Sequence, residues 1–180
     1  MILAGSAHGN PTNGSVTSGE ATIGPADGNT LTIRQTTPNV VINWESFNIA
    51  PNEVTHFIQP NALSLALNRI GGTAPSEIFG ALRANGIVML LNRNGVIFQP
   101  GSQVDVGGLV ASSLNMTDRD FLAGNYRLLG AVTDGLVRNL GNIRAGAGGV
   151  YLIAPNVENG ASGIITANDG SVSLAAGTTA

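Results

Sequence analysis

The chain has 180 residues, 43% of them hydrophobic and 11% charged, with a net charge of −3. That is enough chain for one domain with a sizeable core, and too apolar for a disordered one. Its 25 glycines and 19 asparagines, beside 4% aromatics, exclude an ordinary helical domain and leave an all-β protein with many tight turns.

"MILAGSA" at the start is too short for a secretory signal and lacks its charged beginning. The rest of residues 1–35, with "SVTSGEATI" and "NTLTIRQ", reads as short strands. "VVINW" (40–44), "ALSLALNRI" (62–70) and "SEIFGALRA" (76–84) alternate apolar with polar or small residues and read as strands. In the last, Ile78, Gly80 and Leu82 share one face of a single strand, with Phe79 opposite. "GIVMLLN" (86–92) resembles "GVYLIAP" (149–155), which starts a repeated unit at Gly86.

Asn92-Arg93-Asn94-Gly95 follows as a β-turn, because Asn and Gly tolerate left-handed backbone and Asn bonds to its own backbone. Arg93 is expected to reach a carboxylate such as Asp105. Residues 113–136 break the pattern, and "AGN" (123–125) reads as the turn of a hairpin.

Further on, "NLGNIRAGAGGVYLIAP" (139–155) matches "NGASGIITANDGSVSLAAG" (159–177) at an offset of 20 to 22 residues. The match pairs Asn139 with Asn159, Ile143 with Ile164, Val150 with Val172, Leu152 with Leu174 and Ala154 with Ala176. A period near 20 with this content indicates a β-solenoid. One unit cannot bury its own inward face. Stacked about 4.8 Å from a neighbour, it buries an aliphatic column and pairs its backbone above and below. An open end of such a stack invites aggregation, so residues 1–35 are the expected cap. The chain stops at "SLAAGTTA", inside the repeat rhythm, which suggests a piece of a longer protein.

Two long stretches now carry a family resemblance. "VINWESFNIAPNEVTHFIQPNALSLALNRIGG" and "PSEIFGALRANGIVMLLNRNGVIFQPGSQVDVGGLVASSLNM" resemble, block after block in order, the secretion domain of two-partner secretion exoproteins. This is the type found in filamentous haemagglutinin and the high-molecular-weight adhesins. The family's Asn-Pro-Asn-Gly turn has Arg93 in place of proline here. Its Asn-Pro-Asn-Leu motif, from the haemagglutinin branch, is echoed only by Pro60-Asn61 in "QPNAL". The resemblance therefore leans to the high-molecular-weight type.

The resemblance implies a right-handed parallel β-helix with an N-terminal β cap and extra-helical β-hairpins. It divides the chain into a cap (1–35), first coils (36–112), an excursion (113–136) and further coils (137–180). It implies a monomer secreted through the periplasm of a Gram-negative bacterium to the cell surface. The expected partner is an outer-membrane β-barrel transporter of the TpsB type, acting through its periplasmic polypeptide-transport-associated (POTRA) domains. Asn92, Arg93, Asn94, Gly95, Pro60 and Asn61 are the expected recognition or motif-turn residues.

No cofactor is expected. All eight basic residues are scattered arginines, so no nucleic acid is expected either. No run is long enough to cross a bilayer as a helix, so membrane insertion is not expected. The absence of cysteine rules out disulfides and suits a chain kept unfolded in an oxidising compartment.

Other polar residues have plainer readings. Asn43, Asn48, Asn68 and Asn85 are expected to satisfy backbone groups or form ladders between coils. Trp44 reads as cap or core packing, and as a sugar platform only if exposed. His8 and His56 lack metal-site spacing. The one acidic cluster, Asp118, Asp120 and Asp134, reads as a solvated hairpin tip, with Asp118 and Asp120 on one strand face. A catalytic role on the pattern of β-helix polysaccharide enzymes needs more than carboxylates. The reading is thus not an enzyme, with a carbohydrate-binding adhesin module as the alternative to a secretion domain.

Overall fold

The computed structural model describes residues 9–130 and 135–180. His8 and Asp134 lie outside the described residues. The chain winds through about six coils, with two parallel faces running through all of them and a third through the middle four. The first coil contains β3 (Thr30–Gln35) and β4 (Asn39–Trp44). The second contains β5 (Val54–Ile58), β6 (Leu65–Ile70) and β7 (Ser76–Ile78), and the third β8 (Ala81–Ala84), β9 (Ile87–Asn92) and β10 (Val96–Phe98). The fourth contains β11 (Gln103–Val106), β12 (Gly108–Ser112) and β13 (Leu136–Asn139), and the fifth β14 (Asn142–Ala145), β15 (Val150–Ala154) and β16 (Asn156–Asn159). β17 (Ile164–Ala167) and β18 (Val172–Ala176) begin the sixth.

The first face stacks β4-β6-β9-β12-β15-β18, the second β3-β5-β8-β11-β14-β17 and the third β7-β10-β13-β16. Register aligns the inward side chains into columns. On the first face Val40, Ala66, Val88, Leu109, Val150 and Val172 follow one another rung by rung. On the second, Leu31, Thr55, Leu82, Val104, Ile143 and Ile165 do the same. All but the last residue of each column are buried. Only strict alternation along each strand puts these residues on one side.

Four of the five repeat pairs read from the sequence are rung neighbours: Asn139 with Asn159, Val150 with Val172, Leu152 with Leu174 and Ala154 with Ala176. The fifth is shifted by one. Ile143 pairs with Ile165, and Ile164 faces Asn142. The corner Gly160–Gly163 is longer than its counterpart at Leu140–Gly141, and the register jumps there. The resemblance of "GIVMLLN" to "GVYLIAP" is likewise one residue out, since Val88, not Ile87, occupies the column with Val150.

Residues 76–84 form two strands on different faces, not one. Gly80 is the corner, where a Cβ would lie 2.2 Å from the Ala50 carbonyl oxygen and 2.4 Å from that of Glu53. The absence of a side chain lets the chain turn against the coil below.

At the N-terminal end the pairing reverses. β1 (Ser15–Ser18) runs antiparallel to β4, and β2 (Ala21–Ile23) antiparallel to β3. They cover the open edge of the first coil. Gly14 passes directly over the Trp44 ring, where a Cβ would clash. Trp44 is 3% exposed, meets Phe47 edge-on and donates its indole N–H to the Asn68 side chain at 2.9 Å. It is core, not a sugar platform.

Between β12 and β13 the chain leaves the solenoid. Asn115 and Leu129 pair antiparallel at the base of this excursion, as in a hairpin. Its tip is not a hairpin turn but a short helix, α1 (Asp118–Leu122). Thr117 caps it by accepting from the Asp120 N–H, and Ala123-Gly124 ends it, with Gly124 at φ 74°. The "AGN" signal thus marks a helix end. Asp118 and Asp120 sit in the first turn, where the helix dipole favours carboxylates, rather than on a strand face.

Leu114, Met116, Phe121 and Leu128 of the excursion pack on the outside of the first face, against Val41, Leu67, Met89 and Leu91. This is a second core, separate from the solenoid interior. Arg69 pins it. Its guanidinium meets the Asp118 carboxylate at 2.7 Å, the Asn115 side chain at 3.0 Å, the Asn43 side chain at 3.1 Å and the Met116 carbonyl at 2.6 Å.

Substituting Arg69→Met is expected to lower the stability of the excursion by about 2 kcal/mol, the worth of a charged hydrogen-bonded group. Limited proteolysis should then cut near α1 while the coils persist.

Candidate functional site

Asn92-Arg93-Asn94-Gly95 turns the chain from the first face to the third. The Gly95 N–H donates to the Asn92 carbonyl at 2.8 Å, closing a β-turn. The Asn92 side chain is fully buried. Its amide donates to the Ala74 carbonyl at 3.1 Å and to the Ser76 hydroxyl at 3.0 Å in the coil below. Its oxygen accepts the Asn94 N–H at 2.9 Å and the Asn94 side-chain amide at 3.2 Å. Asn94 also donates to the Gly72 carbonyl at 2.8 Å.

Gly95 has φ 110°, and a Cβ there would lie 2.6 Å from the Leu136 carbonyl oxygen of the coil above. Three of the four residues are therefore fixed by contacts within and between coils. Arg93 is the exception. It is exposed and, among the described residues, forms no ion pair. Asp105 is on the second face, in the rung between Arg83 and Arg144, so the expected pairing with Arg93 is not formed.

Pro60 and Asn61 belong to a different corner, between the second face and the first. The Asn61 side chain accepts the Leu63 N–H at 2.9 Å, and the Asn61 N–H donates to the Ser64 hydroxyl at 3.2 Å. This small braced loop leaves Leu63 81% exposed. The two motifs sit at opposite ends of the first-face strands, a six-residue strand apart, or about 17–20 Å. The fold does not bring them together.

Beneath the Pro60 loop is an amide cluster that the sequence did not disclose. Buried Gln59 donates to the Gln35 side chain at 3.1 Å and to the Ser64 carbonyl at 3.1 Å, and accepts from the Gly86 N–H at 2.9 Å. Asn85 bonds both the N–H and the carbonyl of Gln59, each at 2.8 Å. Asn68 and Asn48 also satisfy backbone groups, as expected, whereas Asn43 instead holds Arg69.

Among the described residues no group of three His, Asp or Glu is placed to hold a metal ion. Asp118 is held by Arg69, and Asp120 accepts the Thr117 hydroxyl at 2.7 Å. His56 lies on the outside of the second face, with a pKa lowered by burial and then by the Arg83 and Arg34 charges.

Asn92→Ala is expected to cost about 2–4 kcal/mol, because it strands several buried partners. Arg93→Pro is expected to be neutral or to stabilise by up to about 1 kcal/mol, since proline suits the second position of this turn. Urea unfolding of the two variants checks the contrast. His56 gives a pH dependence. With its folded pKa below the unfolded value, the unfolded chain binds the extra proton first, so stability falls as pH drops through about 6.5 and below. His56→Gln should flatten that part of a pH titration of the urea midpoint.

Residues 7–180 match the family described as the TPS secretion domain. The solved secretion domain of HMW1 from Haemophilus influenzae superposes with a TM-score of 0.88 at 33% identity, over 94% of this chain and 45% of that one. A heme/hemopexin-binding protein of Haemophilus influenzae (strain ATCC 51907 / DSM 11121 / KW20 / Rd) is 44% identical over 106 residues, covering 59% of this chain. A second Haemophilus influenzae protein of the same description is 39% identical over 98 residues, or 54% of this chain. The matched stretches are only 12% and 11% of those two relatives. The family match over nearly the whole length and the likeness of the fold to the HMW1 secretion domain show that the chain belongs to the TPS secretion domains.

Proposed function

We propose that this domain is recognised in the periplasm of a Gram-negative bacterium, as a monomer, by the POTRA domains of a TpsB-type outer-membrane barrel. It then directs export of its exoprotein and seeds folding of that exoprotein at the cell surface. One observation carries this reading: residues 7–180 match the TPS secretion domain. The first coil is closed by antiparallel strands, so coils can be added in one direction only.

Each coil offers a strand edge and an apolar column on which the following coil can stack. Growth in one direction outside the cell makes return through the barrel unfavourable without any nucleotide. In the periplasm an unfolded segment of the same chain suits addition to a sheet edge of the transporter. Within the motif corner the exposed Arg93 is the group available for recognition, while Asn92, Asn94 and Gly95 hold the corner together. Pro60 and Asn61 present a second exposed loop.

A second reading, a carbohydrate-binding adhesin module, is favoured by the open polar groove on the second face between Arg83 and Arg144.

The test fuses residues 1–180 to a passenger, with and without the cognate transporter. Export is expected only with the transporter. Arg93→Glu should leave the circular dichroism spectrum unchanged and reduce export several-fold. Unchanged export would limit the motif to holding the coil, and transporter-independent export would overturn the proposal.

A further inference from the structure

One row of outward side chains on the second face carries charged residues on three successive rungs, Arg83, Asp105 and Arg144. Register sets Thr32, His56, Arg83, Asp105, Arg144 and Thr166 side by side on successive rungs. Beside it, Gln103 and Asn142 are neighbours on adjacent rungs. Arg83, Asp105, Arg144, Gln103 and Asn142, with Val104 at the floor, line a groove of about 190 Å³.

Two other outward pairs on adjacent rungs join. Arg138 meets Glu158 at 2.7 Å, and Gln99 meets Glu77 at 3.0 Å. Asp105 has an arginine on each neighbouring rung, yet among the described residues it forms an ion pair with neither. Nor do the side chains of Gln103 and Asn142 hydrogen-bond to any described residue. Two guanidinium groups, two amides and a carboxylate thus line one groove, facing solvent.

We infer that this groove binds an acidic polysaccharide carrying one carboxylate per disaccharide. This inference deepens the adhesin reading and does not depend on the secretion role. The spacing argues for it. Arg83 and Arg144 stand two rungs apart, about 10 Å, close to one disaccharide. Two successive uronates can each meet a guanidinium with charge-assisted hydrogen bonds. Asp105 then accepts hydroxyls of the neutral sugar between them, and Gln103 and Asn142 serve either polarity.

The same pattern disfavours the alternatives. A small anion centred in the groove meets the Asp105 carboxylate. In an extended acidic peptide, side chains on one face recur about every 6.6–7 Å, which does not match two rungs.

Titration calorimetry of the 180-residue chain with a hyaluronan octasaccharide tests the inference, with a chito-oligosaccharide of equal length and poly-glutamate as comparators. Hyaluronan is expected to bind and the neutral oligosaccharide not to. Arg83→Gln with Arg144→Gln should weaken binding roughly tenfold or more, as two charge-assisted contacts are lost. Both positions are exposed, so thermal unfolding and transporter-dependent export should be unaffected. Asp105→Asn should strengthen binding of poly-glutamate more than that of hyaluronan, because only the peptide is disfavoured throughout by the carboxylate. Equal binding of the neutral sugar, tighter binding of poly-glutamate by the unaltered chain, or a double arginine variant that binds as before would overturn the inference and leave the secretion role untouched.

Discussion

Parallel backbone pairing between successive coils is the constraint on which the molecule rests. Strands of three to six residues with small aliphatic side chains cannot bury a core alone. Hydrogen-bonded at about 4.8 Å spacing, each coil roofs the column of the one below. The columns from Val40 to Val150 and from Leu31 to Ile143 are that roof repeated. Thr55 shows the dependence: a polar residue is fully buried there because Leu31 and Leu82 flank it on the neighbouring rungs. Burial here is a property of the stack and not of the residue.

Corners are the harder part of such a fold, because backbone groups there leave the ladder and point inward. A buried N–H or carbonyl without a partner costs about 1–3 kcal/mol. The chain meets this with amide side chains. Gln35 and Gln59 sit between the second and first faces, Asn92 between the first and third, and Asn139 between the third and second. Each is buried, and each bonds backbone of its own coil or a neighbouring one. The Asn-Arg-Asn-Gly corner is one instance: it bonds Gly72, Ala74 and Ser76 of the coil below, while Gly95 passes close to the Leu136 carbonyl of the coil above.

Alternation and period made the solenoid legible in the sequence, because both are local consequences of one buried face. The Val150–Val172 and Leu152–Leu174 pairs could be read directly for that reason. The Ile143 pair reads one residue off in the sequence because a longer corner shifts register without changing the look of the strand. Gly80 reads as mid-strand because clearance beneath the Ala50 and Glu53 carbonyls is a three-dimensional fact. The helix α1 was hidden for a related reason. Five residues carry too little periodicity to compete with a turn signal such as Ala-Gly-Asn. Arg69 in "LALNRI" offered a fainter clue: a charge inside an apolar strand needs a partner, here the distant Asp118.

The excursion shows what such a stack can carry. From Gln103 to Asn142 the chain advances 39 residues for one rung, against 22 from Asn142 to Ile164, yet the inner columns pass through without a break. Extra chain is admitted because it leaves at a corner and packs on the outside, where Val41, Leu67, Met89 and Leu91 form a separate apolar surface for it. The interior fixes spacing and direction. The exterior is free to differ, as the polar groove on the second face and the helical clasp on the first both do. A domain built this way can keep one stacked core while its outer faces take on contacts of their own.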